Sequence, residues 1–360
     1  MVRKILIVTA FPPNEKTAGQ DYTRRMIKDM INHGIEVDII YANYFGHEVN
    51  VSQKANIICT LPNSKVNCIK KLKYHPFFTK RYSKKIVRKI NQIKNQYDML
   101  YFDFSQVHIY SKYIEHDNKV LMCHDVIAQK YGRKSNPCNL FYIKNTEKNF
   151  LSTATTLLTF SKKDSELIKK FYGLNSKSVN FYIKEKQGKN LENVYNDVFC
   201  FYGAWNRKEN IESIEYFINK VLPLIKIRYH YVIIGGSMTQ KLINMISEYD
   251  EFSYLGFVDD PIIEISKCQA LIAPLHQGAG VKVKIVDSLT SGTPVIGTQV
   301  AFEGLTDNEM NRMFWNTNDE KEMAYILNNW EPINKDYKRS ASIEFICRYN
   351  KNHFVDSLIE

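Results

Sequence analysis

Two glycines and two lysines at one chain reversal carry the strongest chemical signal in this sequence. Residues 270–305 read ALIAPLHQGAGVKVKIVDSLTSGTPVIGTQVAFEGL. An apolar strand, Ala270 to Leu275, runs into Gly278, Ala279 and Gly280. A helical pattern follows from Val281, with Val283, Val286 and Leu289 on its apolar face. Gly292-Thr293-Pro294 stops that helix before a second strand at Val295 to Thr298. Glycines between a strand end and a helix start present backbone N–H groups at the positive end of the helix dipole, which suits phosphate. Lys282 and Lys284 lie in the first helical turn, the wrong end for a cation by the dipole alone. A bound polyanion resolves that conflict. A second candidate is His124, followed by Asp125, after the strand Val120 to Cys123. A histidine at a strand C-terminus can donate to a hydroxyl or act as a base.

With Phe201-Tyr202-Gly203, Asn206 and Asn210, with Val232-Ile233-Ile234-Gly235-Gly236 and with Gly256-Phe257-Val258, the 270–305 stretch resembles the donor-binding signature of retaining GT-B glycosyltransferases, family 4 (group 1) in particular. The resemblance covers most of the C-terminal half and, more weakly, the N-terminal half. It implies an α/β chain of two Rossmann-like domains facing a cleft, with a C-terminal helix crossing back to the first domain. The implied reaction moves a sugar from a nucleotide sugar, UDP-sugar first, to an acceptor hydroxyl. Arg207, Lys208, Lys284, Gly19 and the backbone of Gly278, Ala279 and Gly280 would hold the diphosphate. Gly236, Val258 and Asp287 would hold the nucleoside, Asp287 accepting from the ribose hydroxyls. His124 would contact the donor sugar as the catalytic group.

The sequence departs from the family in places. Asn210 stands near the expected second basic residue, so Lys208 is the stand-in. Asp287 replaces the usual glutamate. His276 and Gln277 occupy the place of the first acid of the family's paired glutamates, which weakens a carboxylate nucleophile and favours front-face displacement. Gln277 and Glu303 remain candidates near sugar or phosphate. Asp259-Asp260 precedes Pro261 at a helix start and is read as a cap rather than a metal site. The resemblance implies no metal and no cofactor, because lysine, arginine and the helix dipole take the metal's place.

The 360 residues, with 44% hydrophobic side chains, fit two α/β domains rather than one core. Strands are expected at Lys4 to Val8, Glu36 to Tyr41, Met99 to Phe104, Val120 to Cys123 and Thr155 to Phe160. A helix is expected at about Gln20 to Asn32, and another from Lys162, capped by Ser161. The C-terminal half repeats the alternation with strand Val198 to Tyr202, helix Asn210 to Leu222, strand Tyr231 to Ile234 and helix Met238 to Ser247. The polar stretch Lys184 to Asn190 marks a boundary. The domains are drawn at 1–180 and 181–345 with a returning helix at 346–360, and the resemblance implies that the first takes the acceptor and the second the nucleotide sugar.

The segment Ile5 to Phe11 is too short for a membrane span or a signal peptide and reads as the first buried strand. Seven scattered cysteines without a CxxC pair read as free thiols in a reducing cytoplasm. The net charge of +11 is concentrated: residues 61–97 hold eleven basic residues and no acid. Lys70, Lys71, Lys84 and Lys85, with Tyr74, Phe77 and Phe78 among them, suit an anionic membrane surface and an acceptor carried there. Such a run would also suit a soluble anionic acceptor or, less well, nucleic acid. The expected location is cytoplasmic, at the inner face of the cell membrane, with a saccharide or lipid-linked saccharide as acceptor. Abundant Lys, Ile and Asn suggest an AT-rich microbial source and a cell-surface polysaccharide pathway. A nucleotide-sugar epimerase of the same fold and a non-catalytic membrane- or nucleic-acid-binding scaffold stay open as alternatives.

Overall fold

The computed structural model describes residues 2–61, 73–132, 136–183, 194–305, 312–350 and 353–359. Lys70 and Lys71 fall outside these residues. The chain divides into two units, Met1–Tyr182 with Asn352–Glu360, and Ile183–Lys351.

The first unit is built on seven parallel strands: β1 (Lys4–Thr9), β2 (Glu36–Ala42), β3 (Asn56–Leu61), β4 (Met99–Asp103), β5 (Lys119–Cys123), β6 (Thr156–Thr159) and β7 (Lys177–Ser178), in the order β3-β2-β1-β4-β5-β6-β7. Five of the six β1 residues and all of β4 are buried. Strands covered on both faces read as unbroken apolar runs, which is why ILIV and MLYF were legible. The Ala18–Asn32 helix starts at Thr17, whose hydroxyl accepts from the Gln20 N–H. The Lys162–Tyr172 helix starts at Ser161, whose Oγ accepts from the Asp164 N–H at 3.0 Å and donates to the Asp164 carboxylate at 2.6 Å. It ends on Gly173 in the left-handed conformation, φ 74°.

The second unit holds six parallel strands: β8 (Val198–Tyr202), β9 (His230–Ile234), β10 (Phe252–Gly256), β11 (Leu271–Ala273), β12 (Val295–Gly297) and β13 (Phe314–Asn316), in the order β10-β9-β8-β11-β12-β13. One core, with Phe199, Phe201, Phe217 and Tyr231, fills one side of this sheet. Ile234, Leu271, Ile285, Leu289 and Val295 belong to a second core. Asp260 caps the Pro261–Ser266 helix by accepting from the Ile262 N–H, as its place before proline implied. The Lys335–Tyr349 helix adds Ala341 and Phe345 to the second core. The 345/346 boundary therefore falls inside this helix, and the segment that returns to the first unit is shorter. It comprises 353–359, with buried Phe354 against Tyr101 at 5.2 Å between rings.

Two residues expected at a membrane surface lie elsewhere. Tyr74 and Phe78 are core residues of the first unit, 3% and 0% exposed, with rings against Phe150. They cannot also serve as interfacial anchors. Phe77 is half-buried against the same core. Lys84 and Lys85 do lie exposed, on the Lys84–Ile93 helix, which buries Ile86 and Ile90 on its other side. The described cysteines are free thiols. No helix among the described residues is long and apolar enough to cross a membrane.

Candidate functional site

Each sheet reverses its strand order once, and ligands of open α/β sheets bind outside the strand C-termini at that point. In the first unit the reversal lies between β1 and β4. Asp103 ends β4, is fully buried, and collects hydroxyl and ring contacts from neighbouring elements. Thr9 at the end of β1 donates to it at 3.4 Å, Thr23 of the Ala18–Asn32 helix donates to the same oxygen, and His124 Nε2 lies 2.7 Å from the other oxygen. A carboxylate only accepts, so this contact places a proton on Nε2 and turns Nδ1 away from Asp103. The His124 ring stacks on Phe104 at 3.7 Å and 14°. Phe104 itself sits at φ 71°, a conformation that disfavours a side chain. A Cβ on Gly19 would lie 2.9 Å from the Phe104 ring and 3.5 Å from His124 Nδ1. Only glycine lets this turn approach the stacked pair. The structure thus brings together two residues proposed for different tasks, Gly19 and His124.

The loop after His124 is fixed by a residue that carried no sequence signal. Buried Glu147 accepts from the N–H groups of Ile127 and Ala128, each at 2.9 Å, and from the Tyr172 hydroxyl at 2.5 Å. Burial pushes its carboxyl up to about 7, against the pull of these three donors.

In the second unit the reversal lies between β8 and β11. The turn after β8 carries Gly203 to Arg207, and the turn after β11 carries His276 to Lys282. Three contacts join the two sides. Lys284 Nζ donates to Asn210 Oδ1 at 2.7 Å, Gln277 Nε2 donates to Glu212 at 2.5 Å, and the His276 ring meets Tyr216 at 4.5 Å. Asn210 is buried and donates in turn to the Ala204 carbonyl at 2.8 Å. Burial pulls the Lys284 ammonium down to about 7; Glu209 opposes that shift, and Lys282 and Arg207 add to it. A lysine held by a neutral amide near two further cations is an anion site in electrostatic terms.

Gly278 and Gly280 take φ 130° and 66°, so the reversal before the Val283–Thr290 helix needs both. Lys282 occupies the N-cap position without a side-chain cap and folds back, donating to the Gly280 carbonyl at 2.7 Å and meeting Glu303 at 3.4 Å. Glu303 is therefore ion-paired and buried. Asp287 is buried on the helix, and its charge, with that of Asp260, adds to the burial that raises the Tyr202 phenol. Gly236 and Val258 follow β9 and β10 at the same sheet end, Gly236 against Phe257 and Val258 against the second core. Arg207 and Lys208 are exposed, and Lys208 pairs with Glu212 at 3.3 Å.

Residues 196–330, which contain all of these second-unit groups, match the family model described as Glycosyl transferases group 1. The domain makes this chain a glycosyltransferase. No curated protein matches it. Among solved structures, Anabaena Alr3699/HepE in complex with UDP-glucose aligns over 100% of this chain and 99% of its own, at 13% identity and a TM-score of 0.66. TarM, known from S. aureus, aligns over 99% and 97% at 10% identity and 0.71. WaaG, a glycosyltransferase involved in lipopolysaccharide biosynthesis, aligns over 97% and 95% at 12% identity and 0.68. At such identities the likeness establishes the fold, which is GT-B with two Rossmann-like domains.

Proposed function

We propose that this chain transfers a sugar from a UDP-sugar to a hydroxyl of a lipid-linked saccharide in cell-surface polysaccharide synthesis, with retention and without a metal ion. The observation that carries the reading is Lys284, half-buried and donating to the Asn210 amide one helical turn from the Gly278–Gly280 reversal. A diphosphate leaving group supplies the negative charge this place lacks, and Arg207 and the helix N-terminus add to its hold. UDP is favoured among nucleotides because similar structures carry UDP or UDP-glucose. Gly236, Val258 and Asp287 would take the nucleoside, as the sequence resemblance implies. His124 would meet the transferred sugar, its orientation set by Asp103. Glu303 is tied to Lys282 and would act on the donor through that lysine. Retention rests on the resemblance and on the absence of an acid at His276-Gln277, which favours front-face displacement with the leaving phosphate taking the acceptor proton.

Polysaccharide synthesis is supported by WaaG, involved in lipopolysaccharide biosynthesis, and by the lipopolysaccharide outer core galactosyltransferase WaaB as structural neighbours, and location at the inner membrane face by the exposed Lys84 and Lys85 within the one-sign basic run. Each juxtamembrane cation contributes about 1 kcal/mol. Calorimetry with UDP, GDP and dTDP, followed by release of UDP from UDP-glucose, tests the donor. Binding of none of the three nucleotides would remove the reading. Sedimentation with anionic vesicles at low salt tests the membrane. Wild-type protein should pellet, and a chain with Lys84 and Lys85 changed to Glu should stay in solution while binding UDP normally.

A further inference from the structure

Above the first sheet a row of rings follows the order of the strands beneath it. Tyr44 follows β2, Phe11 follows β1, Phe104 follows β4 and His124 follows β5, and these strands are neighbours in the sheet in that order. Ring centroids lie 5.5 Å apart between Tyr44 and Phe11, 5.0 Å between Phe11 and Phe104, and 3.7 Å between Phe104 and His124. The outer end is open to solvent. Tyr44 is 46% exposed and Phe45, at the tip of the same turn, is 99% exposed. Arg81 lies over this end, its guanidinium 5.4 Å from the Phe11 ring and 5.9 Å from Tyr44, and it donates to the Asn43 carbonyl at 3.2 Å.

Water-exposed aromatic residues at the ligand end of a parallel sheet are unfavourable unless something covers them. A sugar ring suits this row, because its CH face is apolar and carries slight positive charge, while an aromatic face is negative. Its hydroxyl edge would remain free for polar groups, and the row runs inward to a histidine whose ring is oriented by Asp103. Arg81 adds a fixed positive charge, in a segment that has eleven basic residues and no acid. The diphosphate-type site lies in the other unit, so the row is not needed for the donor's phosphates.

We propose that Tyr44, Phe45, Phe11 and Phe104 form the acceptor subsite, which stacks a saccharide bearing a carboxylate or phosphate near Arg81 and brings its hydroxyl beside the sugar that His124 contacts. This rests on the glycosyltransferase reading above. It adds the acceptor's chemistry and the residues that select it.

Saturation-transfer NMR on the whole chain tests it with three probes: methyl glucoside, methyl glucuronide and glucose 1-phosphate. The two anionic probes should receive more saturation at their CH protons than the neutral one, and whichever leads names the preferred anion. Tyr44→Ala and Phe45→Ala should lower the signal of all three by roughly 2- to 10-fold. Arg81→Gln should erase the preference for anions. UDP affinity, measured by calorimetry, should stay unchanged in each folded variant. Equal signals in wild type and Tyr44→Ala, or no anion preference in wild type, overturn the subsite. So does loss of vesicle binding by Phe45→Ala with glycoside contacts intact, which would make the tip a membrane contact. Glycoside binding without any UDP binding would instead sink the transferase reading and leave the saccharide row standing.

Discussion

His124 in the first unit is held by the Asp103 carboxylate; Lys284 in the second is held by the Asn210 amide. Both anchors lie beside the point where their sheet reverses strand order. Both are buried, Asp103 completely and Asn210 to within 5%. The difference is one of charge. Asp103 matches the imidazole and fixes its tautomer, so the first unit offers an oriented ring with its charge demands met. Asn210 orients the lysine but leaves its charge unmatched at the contact; Glu209 offsets part of that charge from nearby, while Lys282 and Arg207 work against it. Equivalent places in two similar folds thus carry opposite designs: one aims a side chain, the other stores a need for an anion.

The largest effect should come from the aimed group. His124→Ala should cut turnover of UDP-glucose by about 10²-fold or more, the low end of general acid–base contributions, with UDP affinity nearly unchanged. Asp103→Asn should reproduce much of that loss, because an amide can present N–H to Nε2 and invert the tautomer. A shift in the pH profile would distinguish this from simple unfolding. Normal turnover in a folded His124→Ala chain would break the comparison on the first side.

Next comes the unmatched cation. Lys284→Ala should weaken UDP binding by about 1.5–3 kcal/mol, the range for hydrogen bonds to charged groups. Equal affinities would remove Lys284 from the site. A pH experiment sharpens the same claim. The free folded chain holds Lys284 near 7, below the usual 10.5. Between those values the folded lysine binds fewer protons than the unfolded one, so its burial costs stability below about pH 7 and the cost fades as pH rises. A diphosphate restores the ammonium, so UDP binding at pH 8 should take up a proton. Affinity should fall as pH climbs above 7, by up to about tenfold per unit. Calorimetry in buffers of different ionisation enthalpy reads the uptake directly, and Lys284→Met should abolish it.

Much of this contrast was open to sequence reading on one side only. The Gly278–Gly280 reversal, Lys284 and His124 announce themselves because backbone freedom and charge at a strand end have local signatures. Strands β1, β4, β5 and β8 were legible as apolar runs. Their partners were not. Asp103 reads as one residue within the strand Met99 to Phe104, Asn210 as a departure from an expected basic residue rather than as that lysine's partner, and Glu147 as one polar side chain among many. Each acquires its role from an element distant in sequence. Asp103 meets Thr9 and His124, and Glu147 meets Ile127. Short or edge strands such as β3, β7, β10 and β13 also escaped, since register with a neighbour defines them more than composition does. Tyr74 and Phe78 misled for the converse reason. Interleaving with lysines looked like a surface, while the bend at Tyr74 and the Pro76–Thr79 helical turn at Phe78 place them inside the core.

The smallest expected effect concerns Lys208, which by residue type competes with Lys284 for the diphosphate. Its side chain is 72% exposed and spans one helical turn to Glu212 at 3.3 Å. Water and salt screen such a pair, and double-mutant measurements on exposed pairs give about 0.2–1 kcal/mol. Glu212 also accepts from Gln277, so it stays satisfied when the lysine is removed. Lys208→Ala should therefore change UDP affinity by less than about 1 kcal/mol, and that small change should vanish at high salt. Lys284→Ala should keep most of its deficit under the same salt, because its ammonium is withdrawn from water. If Lys208→Ala loses as much as Lys284→Ala, burial is not what makes the second unit's cation matter. The diphosphate would then be held by exposed charges on both sides of β8 and β11, and the contrast with the buried Asp103–His124 pair would lose its physical basis.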